Sequence, residues 1–162
     1  MHRLFLSVLI LISGCTSESS VQITSDEILD QTFQIDDDKI TLNELFAKEG
    51  LPMIVNLWAT WCAPCLEEMP EFELAHRMYE KSIKFIGINV SDSPTRSKKR
   101  ADELGITYLL GQDPEGNFTK SLKAVGLPVT AFFNSHGRLQ KIHHGPINKK
   151  TLNELLTGLI NA

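Results

Sequence analysis

Apolar and polar positions alternate along this chain with two different periods, and each change of period marks an element. From Gln31 onward, Phe33 and Ile35, then Ile40 and Leu42, take every second place on either side of Asp36-Asp37-Asp38, which predicts a small β-hairpin. Thr41 or Asn43 then caps a short helix over 44–48, and Gly50-Leu51-Pro52 ends it. Met53-Ile54-Val55-Asn56-Leu57-Trp58 is too continuously apolar for a half-exposed strand, and 83–90 is nearly as apolar; both predict buried parallel strands. Between them Leu66, Met69, Phe72, Ala75 or His76, and Tyr79 fall near helical spacing, so a helix over 63–81 links the two strands. Ser93-Pro94, a cap followed by proline at the first helical position, opens a second helix that runs to about Leu104. A strand over 106–110, a helix over 117–124, a strand over 129–133, a turn at Ser135-His136-Gly137-Arg138 and a strand over 139–143 follow. Leu152, Leu155, Leu156, Leu159 and Ile160 share one stripe of a closing helix over 148–160. Strands that alternate with helices define an α/β fold.

The first fifteen residues carry an address. Met1-His2-Arg3 is basic, Leu4 to Ile12 is apolar apart from Ser7, and Ile12-Ser13-Gly14-Cys15 ends the run with small residues before a cysteine. Nine residues at about 1.5 Å each cannot cross a hydrocarbon layer of about 30 Å. The pattern resembles a bacterial lipoprotein signal, which implies removal of 1–14 and acylation of Cys15; an ordinary secretory signal cut elsewhere and a buried N-terminal helix are the rival readings. Ser- and Thr-rich residues after Cys15 predict a flexible, lipid-anchored tether over 15–30, with the folded domain over 31–162.

Composition narrows the classes without choosing one. With 42% apolar and 22% charged residues in 162, the chain suits one compact domain that needs no staple. A net charge of −4 argues against a nucleic-acid partner. The local basic group Arg96, Lys98, Lys99 and Arg100 is answered at once by Asp102 and Glu103, as on a solvated helix face.

Chemistry concentrates in Trp61-Cys62-Ala63-Pro64-Cys65. A Cys-x-x-Cys pair can be a structural staple, half of a zinc site or a redox couple. A staple over so small a loop gains little chain entropy, and no second pair stands at ligand spacing. With Cys62 at a helix start, the free N–H groups and the dipole favour its thiolate, while Cys65 lies one turn further in. Lowering a thiol pKa from ~8.5 to ~7 raises the thiolate fraction at pH 7 roughly 15-fold, but nucleophilicity falls roughly 5-fold, so attack gains only ~3-fold. The shift acts more on departure than on attack. Glu68 stands three residues after Cys65 on the same helix face.

The stretch from Val55 to Pro70 resembles the active-site segment of the thioredoxin-like TlpA/ResA/DsbE family of extracytoplasmic thiol–disulfide oxidoreductases. A signal, a strand, the Trp-Cys-x-x-Cys motif, a later Glu-x-Pro and the downstream Gly126-Leu127-Pro128-Val129-Thr130 occur in the family's order, and the likeness covers about Gln31 to Ile160. It implies a thioredoxin-like fold: a central mixed sheet flanked by helices, with an N-terminal β-hairpin extension and an inserted helical segment near 93–104. It implies a disulfide reductase, often serving cytochrome c maturation, with no cofactor or metal. Its partners are a disulfide-containing client protein and a membrane electron donor of thiol–disulfide type. The implied location is the cell envelope, with the domain on the extracytoplasmic face.

Position by position, the resemblance makes Cys62 the attacking and Cys65 the resolving thiol, joined as a redox disulfide. Glu68 matches the position proposed to assist proton transfer, and Asn56 stands where cytoplasmic thioredoxins carry a buried aspartate. Pro128 matches the family's cis-proline, beside which the Leu127 backbone would pair with an extended client segment. Trp61 would shield the pair and contact the client, or serve plain packing. Pro70 should kink the helix.

Two features depart from the pattern. Leu127-Pro128-Val129 lacks the Gly-x-Pro-Glu-Thr signature of dedicated cytochrome c maturation members, and Thr60 falls two rather than three residues before Cys62, unlike the peroxidases of this fold. A disulfide oxidase or isomerase shares every residue named. A copper metallochaperone is the other alternative, because His143-His144 ends a strand, although copper chaperones of this fold carry Cys-x-x-x-Cys.

Overall fold

The computed structural model describes residues 24–160, so Cys15 and the anchor expected there lie outside the described residues. The chain runs through α1 (Ser25–Leu29), β1 (Thr32–Ile35), β2 (Asp38–Thr41), α2 (Leu42–Glu49), β3 (Met53–Trp58), α3 (Ala63–Tyr79) and β4 (Lys84–Val90). It continues through α4 (Pro94–Glu103), β5 (Leu109–Asp113), α5 (Asn117–Ser121), β6 (Val129–Phe133), β7 (Leu139–His144) and α6 (Lys149–Ile160). One seven-stranded sheet is formed in the order β2-β1-β5-β4-β3-β6-β7. Its centre, β3-β4-β5, is parallel, and both flanks are antiparallel, which is the mixed sheet expected.

Both faces of β3 are covered, which is why it reads as an unbroken apolar run. Ile54 and Trp58 pack with Met69 and Phe72 of α3 and with Leu152 and Leu156 of α6. Met53, Val55 and Leu57 pack on the other side with Ile28, Leu42 and Phe118 from α1, α2 and α5. Alternation puts Asn56 on the α3 side. No described helix is long and apolar enough to cross a membrane.

Local signals place most boundaries. Thr41 is the cap of α2, in a capping box with Glu44, and Gly50 closes that helix at φ 61°. Ser93 accepts the Arg96 N–H at the start of α4, with Pro94 in the first turn. The helix α3 continues through Pro70.

Some boundaries move. Folded structure is already present ahead of Gln31: Thr24 caps α1, Ile28 and Leu29 are buried, and Ser25 Oγ accepts the Leu139 N–H at 2.8 Å. One helical turn with two apolar residues is too short to show a period. The strand expected over 106–110 lies at Leu109–Asp113. Thr107 is diverted because its N–H and hydroxyl donate to the buried Glu73 carboxylate at 2.7 and 2.6 Å. The polar Gly111-Gln112-Asp113 enters the sheet instead, paired with β4.

Gly111 is where the hairpin seats on the sheet. A Cβ there would fall 2.5 Å from the Phe33 ring and 2.9 Å from the Gln34 carbonyl oxygen, far inside contact distance. Gly111→Ala should therefore lower the urea-unfolding stability by about 1–3 kcal/mol or more. An unchanged unfolding midpoint would show that the hairpin is not held tightly on β5.

Candidate active site

The site is assembled at the end of β3. After Trp58 the chain makes a short loop whose Thr60 donates its N–H and hydroxyl to Asp92 at 2.6 and 2.8 Å. Asn89 donates to the same carboxylate at 3.2 Å. Burial pushes the Asp92 carboxyl up, but these donors and nearby Arg96 outweigh it and hold the group below its ordinary value. Asp92 thus clamps the loop that leads into Cys62. Nothing in the sequence pattern singled it out, although an acid just beyond a buried strand was the available signal.

Cys62 is the N-cap of α3, as the strand-to-helix pattern predicted. Its Sγ accepts the Cys65 N–H at 3.3 Å, and the two sulfurs are bonded at 2.00 Å. Cys62 is nearly covered and Cys65 is fully buried. Trp61, by contrast, is 62% exposed, so packing does not account for it. The Leu127–Pro128 peptide is cis, as expected, and Pro128 is buried. Because Leu57 pairs with Val129, Pro128 lies at the same end of the sheet as the Cys62 loop. Leu127 is half-buried and touches both core clusters, while Val125, unremarked by the pattern, is wholly exposed just before the cis bond.

Glu68 is buried behind Cys65, held by two uncharged donors. Asn56 Nδ2 reaches its Oε1 at 2.9 Å and the Ile147 N–H reaches its Oε2 at 2.7 Å. Burial dominates its titration and lifts the pKa to about 7, while the bonds from Ile147 and Asn56 pull the other way. An open groove of about 410 Å³, lined by Pro64, Glu67, Glu71, Ile147 and Lys149, reaches Glu68 and gives its proton a route to solvent. The groove belongs to the same end of α3 as the cysteines.

His143 and His144 sit on edge strand β7, paired with Thr130 and Val129. As neighbours in a strand they point to opposite faces, so they do not converge on one ion. No cluster of three or more metal-ligating side chains occurs among the described residues.

Two cysteines already closed on each other at a helix start, with a solid core behind them, are built to open and close again with the sulfurs of another molecule. The fold and the site are those of a thioredoxin-like thiol–disulfide exchange domain. The chain belongs to the Redoxin family, which it matches over residues 24–159. It is 28% identical over 123 residues to the thiol-disulfide oxidoreductase ResA of Halalkalibacterium halodurans, covering 75% of this chain and 68% of that protein. It is 28% identical over 121 residues to the thiol:disulfide interchange protein DsbE of Haemophilus influenzae, covering 74% of this chain and 65% of that one. The chain thus spans about two thirds of these relatives' length. The solved structure of MTB DsbF, in mixed oxidized and reduced forms, superposes with a TM-score of 0.73 over 82% of this chain and 97% of that one, at 19% identity.

The raised pKa of Glu68 has a sign that can be measured. A carboxyl whose folded pKa lies above its unfolded value of 4.5 stabilises the fold fully below 4.5, and that contribution is lost as pH rises through about 7. Glu68→Gln should therefore gain on the wild type by on the order of 3 kcal/mol as urea unfolding is moved from about pH 4 to about pH 8. A stability difference independent of pH would show that Glu68 titrates as an ordinary surface glutamate.

Proposed function

We propose that the domain is an extracytoplasmic disulfide reductase that acts on client proteins through Cys62 and Cys65. The observation that carries the proposal is Glu68, a buried carboxylate beside the pair with only uncharged partners. A second negative charge close by is costly in a dry site, so the carboxylate opposes any strong stabilisation of a thiolate at Cys65. A disulfide becomes a strong oxidant when its reduced form is stabilised, and this environment works against that. Pro64, which lacks an N–H, also removes one donor from the first turn.

The exchange balances as follows. The Cys62 thiolate attacks one sulfur of the client disulfide, forming a mixed disulfide, and the other client sulfur leaves as a thiolate. Cys65 then gives its proton to the Glu68 carboxylate and attacks Cys62 Sγ. The second client sulfur departs, and the Cys62–Cys65 bond closes as it stands in the structure. The client has gained two electrons, and Glu68 returns its proton through the groove. A thiol–disulfide donor at the membrane then restores the dithiol.

Client binding is assigned to exposed Trp61 and Val125 and to the Leu127 backbone beside Pro128, where an extended segment can pair. The Met1 to Cys15 pattern supports export and a lipid anchor on Cys15, with cytochrome c maturation as one service of such a domain.

The purified domain, recharged with dithiothreitol, should reduce insulin disulfides, and Cys62→Ser should abolish that turnover. Cys65→Ser should instead accumulate a covalent mixed disulfide with the client, visible by non-reducing electrophoresis. Full turnover by Cys62→Ser would overturn the proposal.

A further inference from the structure

The environment of Asn56 contains an atom that a static scaffold leaves unexplained. Asn56 is 2% exposed, and its Nδ2 spends both protons, one on Glu68 Oε1 at 2.9 Å and one on Thr130 Oγ1 at 3.0 Å. Its Oδ1 is buried with no hydrogen-bond partner. Buried polar atoms are rarely left unpaired, so an orphan beside a working carboxylate calls for a reason.

We propose that Asn56 is the positioning residue that lets Glu68 hold either of its protonation states, by turning its amide over as the proton arrives. This rests on the reading of Glu68 as the group that takes the Cys65 proton. A charged carboxylate accepts hydrogen bonds only, and the Nδ2 end of Asn56 serves it. A protonated carboxyl keeps an acceptor oxygen but gains an O–H to donate, which the Nδ2 end of Asn56 cannot receive. Rotation about the Cβ–Cγ bond exchanges two ends of nearly the same shape, presenting Oδ1 to Glu68 and to Thr130 together and carrying the Nδ2 protons to the place where Oδ1 now stands without a partner. The Thr130 hydroxyl follows by turning from acceptor to donor. No bond is made or broken beyond the proton transfer itself. An aspartate at this position would set two carboxylates against each other, and a leucine would serve neither state.

Other titratable groups stand around Glu68. Tyr108, from the segment between α4 and β5, interacts with it electrostatically, and Glu67, Glu71 and Lys149 share its groove. Cys65 lies on its own helix, and His143 of β7 continues the Asn56–Thr130 row of the sheet.

The test is a titration of the intact oxidised domain by nuclear magnetic resonance, reading the Glu68 carboxyl carbon and the Asn56 side-chain amide together. Both should move with one shared midpoint. In Asn56→Leu the charged form loses a charge-assisted bond and the neutral form a weaker one, so the midpoint should rise by about one unit. Client turnover below the midpoint should then fall about tenfold at a given pH. In Asn56→Asp, two coupled steps should replace one, the upper lying above the wild-type midpoint. Thr130→Val removes one weak bond from each state and should leave the midpoint nearly in place. An Asn56 amide signal that stays fixed while Glu68 titrates overturns the proposal, even if the leucine variant fails to fold, and leaves the reductase assignment standing. Full turnover by Cys62→Ser would remove that assignment instead.

Discussion

The bond pair on Glu68 is the constraint through which the rest of this site is organised. One carboxylate on α3 accepts from Asn56 on β3 and from the Ile147 N–H ahead of α6, while Asn56 also bonds Thr130 on β6. Four segments distant in sequence therefore meet at one buried charge. Ile147 is only two residues beyond Gly145, whose N–H donates to Pro128 O at 2.9 Å, so the cis-proline loop is tied to the same point. Removing a partner from such a charge costs more than the bond is worth in isolation, because the charge stays behind in a dry core. That asymmetry holds the cysteines, the groove and the cis-proline loop in a single arrangement.

A second clamp acts on the loop ahead of Cys62. Asp92, at the end of β4, grips both donors of Thr60 and so sets the loop from which Cys62 enters α3. The pair is thus fixed in front by a low-pKa carboxylate that stays charged and behind by a high-pKa carboxylate that titrates near neutrality. Both are acids on or beside the same sheet. Their different duties come from the number of donors each has been given against its burial.

The elements with long hydrophobic patterns were legible from sequence: β3 and β4 lie where continuous apolar runs put them, and α3 and α6 where helical spacing does. Cys62 at the helix start, Glu68 one turn behind Cys65, and Asn56 on the adjoining strand were legible too. They lie on α3 and β3, whose geometry is regular. What escaped was set by tertiary partners. Thr107 is drawn out of a strand by Glu73, 34 residues away, and α1 is one turn stabilised by packing rather than pattern. Asp92 and Val125 lie in connections, where no period operates and only the folded sheet reveals what they face. The second acceptor bond on Glu68, from Ile147, spans 79 residues and has no local signature.

The proposed reductase direction rests on a buried carboxylate among neutral donors behind a fully buried Cys65, with Trp61 exposed beside the pair. The equilibrium of the Cys62–Cys65 couple with glutathione or dithiothreitol tests this most directly. A reductase of this design predicts a reduction potential near that of thioredoxin, about −270 mV. A value near that of a strong oxidant such as DsbA, about −120 mV, would contradict it.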